Sequence, residues 1–129
     1  MEKIIVKTTQ AKEIVDITEV VNGTLKQRGV KEGLAHLFLT HTTGALMTAD
    51  LDPGTDLDML DAFEALIPRL GYRHPHNPAH VPDHILSSLI GVSLTIPVRG
   101  GQLRLGAWQR VVLVELNGPR EREIVISWA

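Results

Sequence analysis

Apolar and polar positions change period several times along the chain, and each change marks an element. Glu2 to Thr9 is rich in β-branched residues and reads as a strand; Glu13 to Ile17 reads as a second, short one. Thr18 stands where a helix should start, its side-chain oxygen able to accept from a free backbone N–H. Val20, Val21 and Leu25 form that helix's expected buried stripe, and Gly29 ends it. Leu34 to Thr40 is apolar nearly throughout, the pattern of a strand covered on both faces. Gly44 to Thr48 continues as strand or bulge, and Asp50, Asp52, Pro53 and Gly54 form a turn. From Thr55, the residues Leu57, Leu60, Phe63, Ile67 and Leu70 recur at helical spacing, while Asp58, Asp61, Glu64 and Arg69 face away. A second helix is predicted there, closed by Pro68 and Gly71.

The stretch Tyr72–Gly91 breaks the pattern with an irregular, proline-rich loop. Pro82 fits the first position of a third helix, where its missing N–H costs nothing, and Ile85, Leu86, Leu89 and Ile90 supply the apolar face. The remainder reads as antiparallel sheet. Ser93–Val98 and Leu103–Leu105 form a hairpin about the turn Arg99–Gln102; Arg110–Leu116 and Glu121–Trp128 pair across Asn117-Gly118-Pro119. The expected order is β-β-α-β-β-α-α followed by four strands, an α+β domain.

Composition narrows the function classes. A chain of 129 residues is read as one domain, 1–129. Thirteen basic and fifteen acidic residues give a net charge of −2 with no basic block, so nucleic-acid binding has no electrostatic support. No apolar run approaches the roughly 18 residues of a membrane span. The N-terminus lacks a signal pattern, so a soluble cytoplasmic protein is expected. There is no cysteine, which removes disulfides, thiolate metal sites and cysteine nucleophiles.

What remains for chemistry is histidine. His74, His76, His80 and His84 lie in the proline-rich loop and the helix after it, and His41 ends the apolar strand. Neutral imidazole is the commonest nitrogen ligand for zinc and similar divalent ions. Without cysteine, a metal site here would draw on His41, His74 and His84, with Asp50 or Asp83 as ligand or orienting group. Pro82 separates His80 from His84, so their spacing of four does not by itself place them on one helix face. Taken singly, each loop histidine is more often a solvated surface group than a ligand, and His36, inside a strand, is more often a hydrogen-bonded structural residue.

Seven segments in order carry a resemblance. They are His41-Thr42-Thr43-Gly44-Ala45-Leu46, the turn ending in Asp52-Pro53, Tyr72-Arg73-His74, His84-Ile85 with Ser87–Gly91, Ser93–Val98, Gly106-Ala107-Trp108-Gln109, and Glu115–Arg120. Together they resemble the YjbQ family (UPF0047), also called secondary thiamine-phosphate synthase enzyme. The resemblance implies a small β-sandwich with three helices, assembled as a homotrimer. It implies a polar cleft at the subunit boundary lined by His41, His74 and His84, and a weak thiamine-phosphate synthase activity. Asp50 stands where many members carry glutamate, and His76 and His80 where many carry acidic residues or glycine.

Three functional readings follow. In the first, a metal-assisted enzyme acts on a small phosphorylated or polar metabolite. His41, His74 and His84 bind the divalent ion, Asp50 or Asp83 orients a ligand or acts as base, and Arg73 or Arg110 holds an anionic group. In the second, the same histidines act as acids and bases without metal. In the third, the trimer binds a metabolite without turning it over.

Overall fold

The computed structural model describes residues 1–129. The elements occur in the expected order: β1 (Glu2–Lys7), β2 (Glu13–Asp16), α1 (Thr18–Gln27), β3 (Glu32–Leu39), β4 (Gly44–Ala49), α2 (Thr55–Leu66), α3 (Val81–Ile90), β5 (Ser93–Arg99), β6 (Gln102–Leu103), β7 (Arg110–Glu115) and β8 (Glu121–Trp128). A single 3₁₀ turn, Pro78–His80, leads into α3. The strands form two antiparallel sheets, a five-stranded one in the order β1-β8-β3-β5-β6 and a three-stranded one in the order β2-β7-β4.

Alternation along the strands explains how the layers stack. Ile4 and Val6 of β1, Leu37 and Leu39 of β3, and Ile124 and Ile126 of β8 point to one side of the large sheet. They meet Leu46, Val111 and Leu113 from the small sheet, and α1 closes this core with Val21 and Leu25. The opposite face of the small sheet, Ala45, Val112 and Val114, packs with Leu86 of α3 and Ile67. The small sheet is therefore a middle layer, and β7 is buried on both faces: Val111, Val112, Leu113 and Val114 are all inaccessible.

Local expectations are corrected in four places. Thr18 does not cap α1 through its side chain. Its N–H donates to Asp16 Oδ1 at 3.0 Å, and its hydroxyl accepts from the Val111 N–H at 2.8 Å, tying the helix to β7. Val20, expected to be buried, faces solvent. β3 is covered on one face only: Ala35, Leu37 and Leu39 are buried, whereas Leu34 is 42 % and Phe38 50 % exposed. An apolar run records that both faces are greasy, not that the chain itself covers both. The second helix forms as predicted but buries no side chain completely. Met59, Leu60 and Phe63 are partly covered, while Leu57, Leu66 and Leu70 are exposed. Ile67, past the helix end in extended conformation, makes the buried contact instead.

No helix is long and apolar enough to cross a membrane.

Candidate functional site

The turn from β3 to β4 carries His41, Thr42 and Thr43, and α3 runs beside it. Ser87 Oγ donates to the Gly44 carbonyl at 2.6 Å and fixes the helix against β4. Between turn and helix lies a cleft of about 660 Å³, whose lining includes Phe38, Thr40, His41, Thr42, His84 and Ser87. His74, in the loop before α3, is not part of the cleft wall but lies against it through His84. Its ring stacks on that of His84, with centroids 5.3 Å apart and planes 12° from parallel.

Hydrogen bonds assign each imidazole a role. The Thr42 carbonyl can only accept, so His84 Nδ1–H donates to it at 2.9 Å; this leaves His84 Nε2 with a free lone pair. The Glu123 N–H can only donate, so His41 Nε2 accepts from it at 2.9 Å, and the proton of neutral His41 sits on Nδ1. The N–H groups of His76 and Asn77 donate to His74 Nδ1 at 3.1 and 3.3 Å, so neutral His74 carries its proton on Nε2. Burial pushes the His41 pKa down, and the Arg122 guanidinium pushes it the same way, which favours the neutral ring. The set offers one basic nitrogen and two N–H donors.

That donor set does not suit a three-histidine metal site. A ligating nitrogen must present a lone pair outward, and of the three rings only His84 does so. No three histidine or carboxylate side chains of the chain are placed to hold a metal ion.

The other expected residues lie apart from the cleft. Asp50 is exposed, and its Oδ1 accepts from the Asp52 N–H at 3.0 Å, a role within the turn. Asp83 is buried but turned toward α2, where Lys12 and His80 contact its two oxygens. Arg73 is exposed, pairs with no carboxylate, and adjoins His74. Arg110 is engaged elsewhere, with Nε donating to Asp16 at 2.8 Å and Nη2 to Glu19 at 3.2 Å. His36 bonds Thr95 at 3.1 Å across β3 and β5, the structural role expected of it. His76 is exposed beside His74, their rings at 67°.

Beneath the cleft is a network the sequence reading passed over. Arg122 is 1 % exposed and Glu115 is 0 %. Arg122 Nε donates to Glu115 Oε1 at 2.9 Å, and a second contact joins Arg122 Nη2 to Glu115 Oε2. The same Nη2 donates to both the carbonyl and the hydroxyl of Thr43 at 2.9 Å, while Thr8 Oγ1 donates to Glu115 at 2.7 Å. Burial pushes the Glu115 carboxyl up, but Arg122, Thr8 and the Asn117 N–H outweigh it and hold the pKa below the usual range. The pair thus pins Thr43, next to the Thr42 carbonyl that orients His84. Gly44 lets β4 approach its neighbours closely: a Cβ there would stand 3.0 Å from Leu39 Cδ2 and 3.2 Å from the Val114 carbonyl. The signal was present in the alternation, since Arg122 shares its parity with buried Ile124 and Ile126.

This α+β architecture of three helices on two antiparallel sheets belongs to a recognised class. Residues 2–129 match the family model described as UPF0047 protein YjbQ-like, and the chain belongs to that family. A UPF0047 protein of Archaeoglobus fulgidus is 35 % identical over 122 residues, covering 94 % of each chain. The crystal structure of hypothetical protein APE1520 from Aeropyrum pernix K1 superposes with a TM-score of 0.91 at 32 % identity, covering 99 % of this chain and 96 % of that one. The conserved hypothetical protein TT1486 from Thermus thermophilus superposes with a TM-score of 0.89 at 34 % identity, covering 100 % of both chains.

Proposed function

We propose that the cleft is a histidine acid–base site for a small, anionic or phosphorylated metabolite. The observation that carries this reading is His84: its Nδ1–H is held by a backbone carbonyl, leaving Nε2 free as a base. His41 Nδ1–H and His74 Nε2–H are the complementary donors, suited to an oxygen that gains negative charge during reaction. Arg73 lies outside the cleft wall, but it is exposed, without an ion-pair partner and adjacent in sequence to His74, so its long side chain would reach toward the cleft mouth to meet an anionic group. The condensation of a pyrimidine pyrophosphate with a thiazole phosphate, the weak activity that the resemblance implies, has substrates of this class and is the first reaction to assay.

The same reading places the cleft at a boundary between copies of the chain. Phe38 lines the cleft and also belongs to the uncovered face of β3, with Leu34 further along that face. Apolar strand positions left open in one copy are suited to burial by another, and a homotrimer would close the cleft from that side.

The test is turnover of such metabolites by untagged protein, with and without chelator. His84→Gln is expected to lower kcat/KM by about 100-fold or more, with a chelator leaving the wild type unchanged. Loss of activity on chelation would replace this reading with the metal-assisted one. Tight binding without turnover would leave a metabolite-binding protein. Light scattering checks the assembly; Phe38→Glu is expected to dissociate it.

A further inference from the structure

A second cavity lies on the other side of α3. It measures about 470 Å³, lies between α2, the start of α3 and the residue before β2, and opens to solvent on one side. Cavities of this size accommodate small organic molecules. Leu57, Leu60 and Phe63 of α2 line one wall, and Ile67, Leu86 and Leu116 continue the apolar surface. The cavity exists because α2 stands off the small sheet and buries no side chain fully.

Its polar end is built rather than incidental. Asp83, 7 % exposed, is held on one oxygen by Lys12 Nζ and on the other by His80 Nδ1 at 3.2 Å. Lys12 Nζ donates also to the Leu116 carbonyl, so two of its three N–H groups are engaged and the third is free. Asp83 orients the His80 ring and leaves Nε2 as an acceptor. The cavity therefore offers one donor and one acceptor at the end of an apolar chamber.

Charge decides what can sit there. Lys12 and Asp83 cancel, and His80 in this tautomer is neutral. A carboxylate or an ammonium would enter the polar end without a counter-ion, and desolvating an unpaired charge is costly. The remaining lining charges stand at the rim: Glu64 is paired to Arg69 at 3.0 Å, and Asp61, which also lines the cavity, is exposed, so water screens it from the polar end. We infer that this cavity binds a small amphipathic molecule with an apolar body and an uncharged head that both accepts and donates, such as a hydroxyl or a carboxamide. The head accepts from Lys12 and donates to His80 Nε2. This site is separate from the histidine cleft and does not depend on the function proposed for it.

A set of ligands sharing one body tests the inference: 3-phenylpropanol, 3-phenylpropionamide, 3-phenylpropionate and 3-phenylpropylamine, titrated by calorimetry into the intact protein. The alcohol and the amide are expected to bind saturably, and the carboxylate and the amine at least tenfold more weakly. Leu60→Trp, which fills the chamber, should abolish binding. Lys12→Met should weaken the alcohol and amide tenfold; because it leaves buried Asp83 with His80 as its remaining partner, the titration is run well below the lowered unfolding midpoint of the variant. No saturable binding by any of the four, preference for a charged head, or binding unchanged by Leu60→Trp would overturn the proposal. So would a change of oligomeric state on Leu57→Glu, because α2 would then be covered by a second copy of the chain.

Discussion

Asp83 and His84 are adjacent on one helix, yet they serve two different cavities. A step of one residue on an α-helix turns the side chain by about 100°. His84 therefore faces the β3–β4 turn, and Asp83 faces α2. On the His84 side, backbone groups hold the rings: the Thr42 carbonyl, the Glu123 N–H, and the N–H groups of His76 and Asn77. On the Asp83 side, side chains hold each other, with Lys12 and His80 on one carboxylate. Backbone anchoring fixes tautomers and leaves ring nitrogens for chemistry. Side-chain pairing cancels charge and leaves a neutral polar pocket. The two cavities on either side of α3 thus present different polar groups.

The largest effect is expected at the support of the His84 side. Arg122→Ala leaves Glu115 buried without its partner and should destabilise the fold by about 3–5 kcal/mol. Urea denaturation measures it, and a loss under about 1 kcal/mol would show that the network carries little. His84→Gln comes next. It should cost the cleft about 100-fold in turnover while leaving phenylpropanol binding at the Asp83 side unaltered, so the two titrations together show whether the sides are independent. Asp83→Ala should reverse that pattern, weakening phenylpropanol binding and lowering stability by about 1–2 kcal/mol, since Lys12 can turn to water once unpaired.

Acid should separate the two sides as well. The unfolded Glu115 carboxyl titrates near 4.5, and the folded one lower. Its contribution is then complete above pH 4.5 and is lost as the pH falls through the folded value. Unfolding midpoints measured from about pH 7 to about pH 3 should fall more steeply for the wild type than for Glu115→Gln; parallel curves would remove Glu115 from the account. The smallest effect is expected at Asp50, whose exposed turn lies in neither cavity: Asp50→Ala should change stability by less than about 0.5 kcal/mol and leave both titrations intact.

Much of this was legible before any coordinates. β-branched and apolar runs, helical spacing, turn residues and Pro82 placed every strand and α-helix in order, because these signals depend on neighbours within a few residues. Histidines at the end of β3 and at the start of α3 were legible for the same reason; that His41 and His84 face one cleft was decided by the packing of α3 beside the β3–β4 turn. The buried Arg122 was also legible in principle, as a charge at core parity between apolar strand positions. His80 and Asp83 were not readable as a pair facing Lys12, since that partner lies far away in sequence and no spacing rule links them.

Sequence by itself determined the elements, their order, the absence of cysteine chemistry and the histidines available for a site. Only the tertiary structure decided what covers each face. β3 and β7 read alike as apolar runs, but β7 lies between two layers while Leu34 and Phe38 of β3 are left open. It also decided the imidazole tautomers, because a ring nitrogen donates or accepts according to whether a carbonyl or an N–H stands opposite it. Local pattern fixes the direction in which a side chain points from its own backbone. What it meets there is set by chain far away in sequence, as when Thr8 near the start bonds Glu115 near the end.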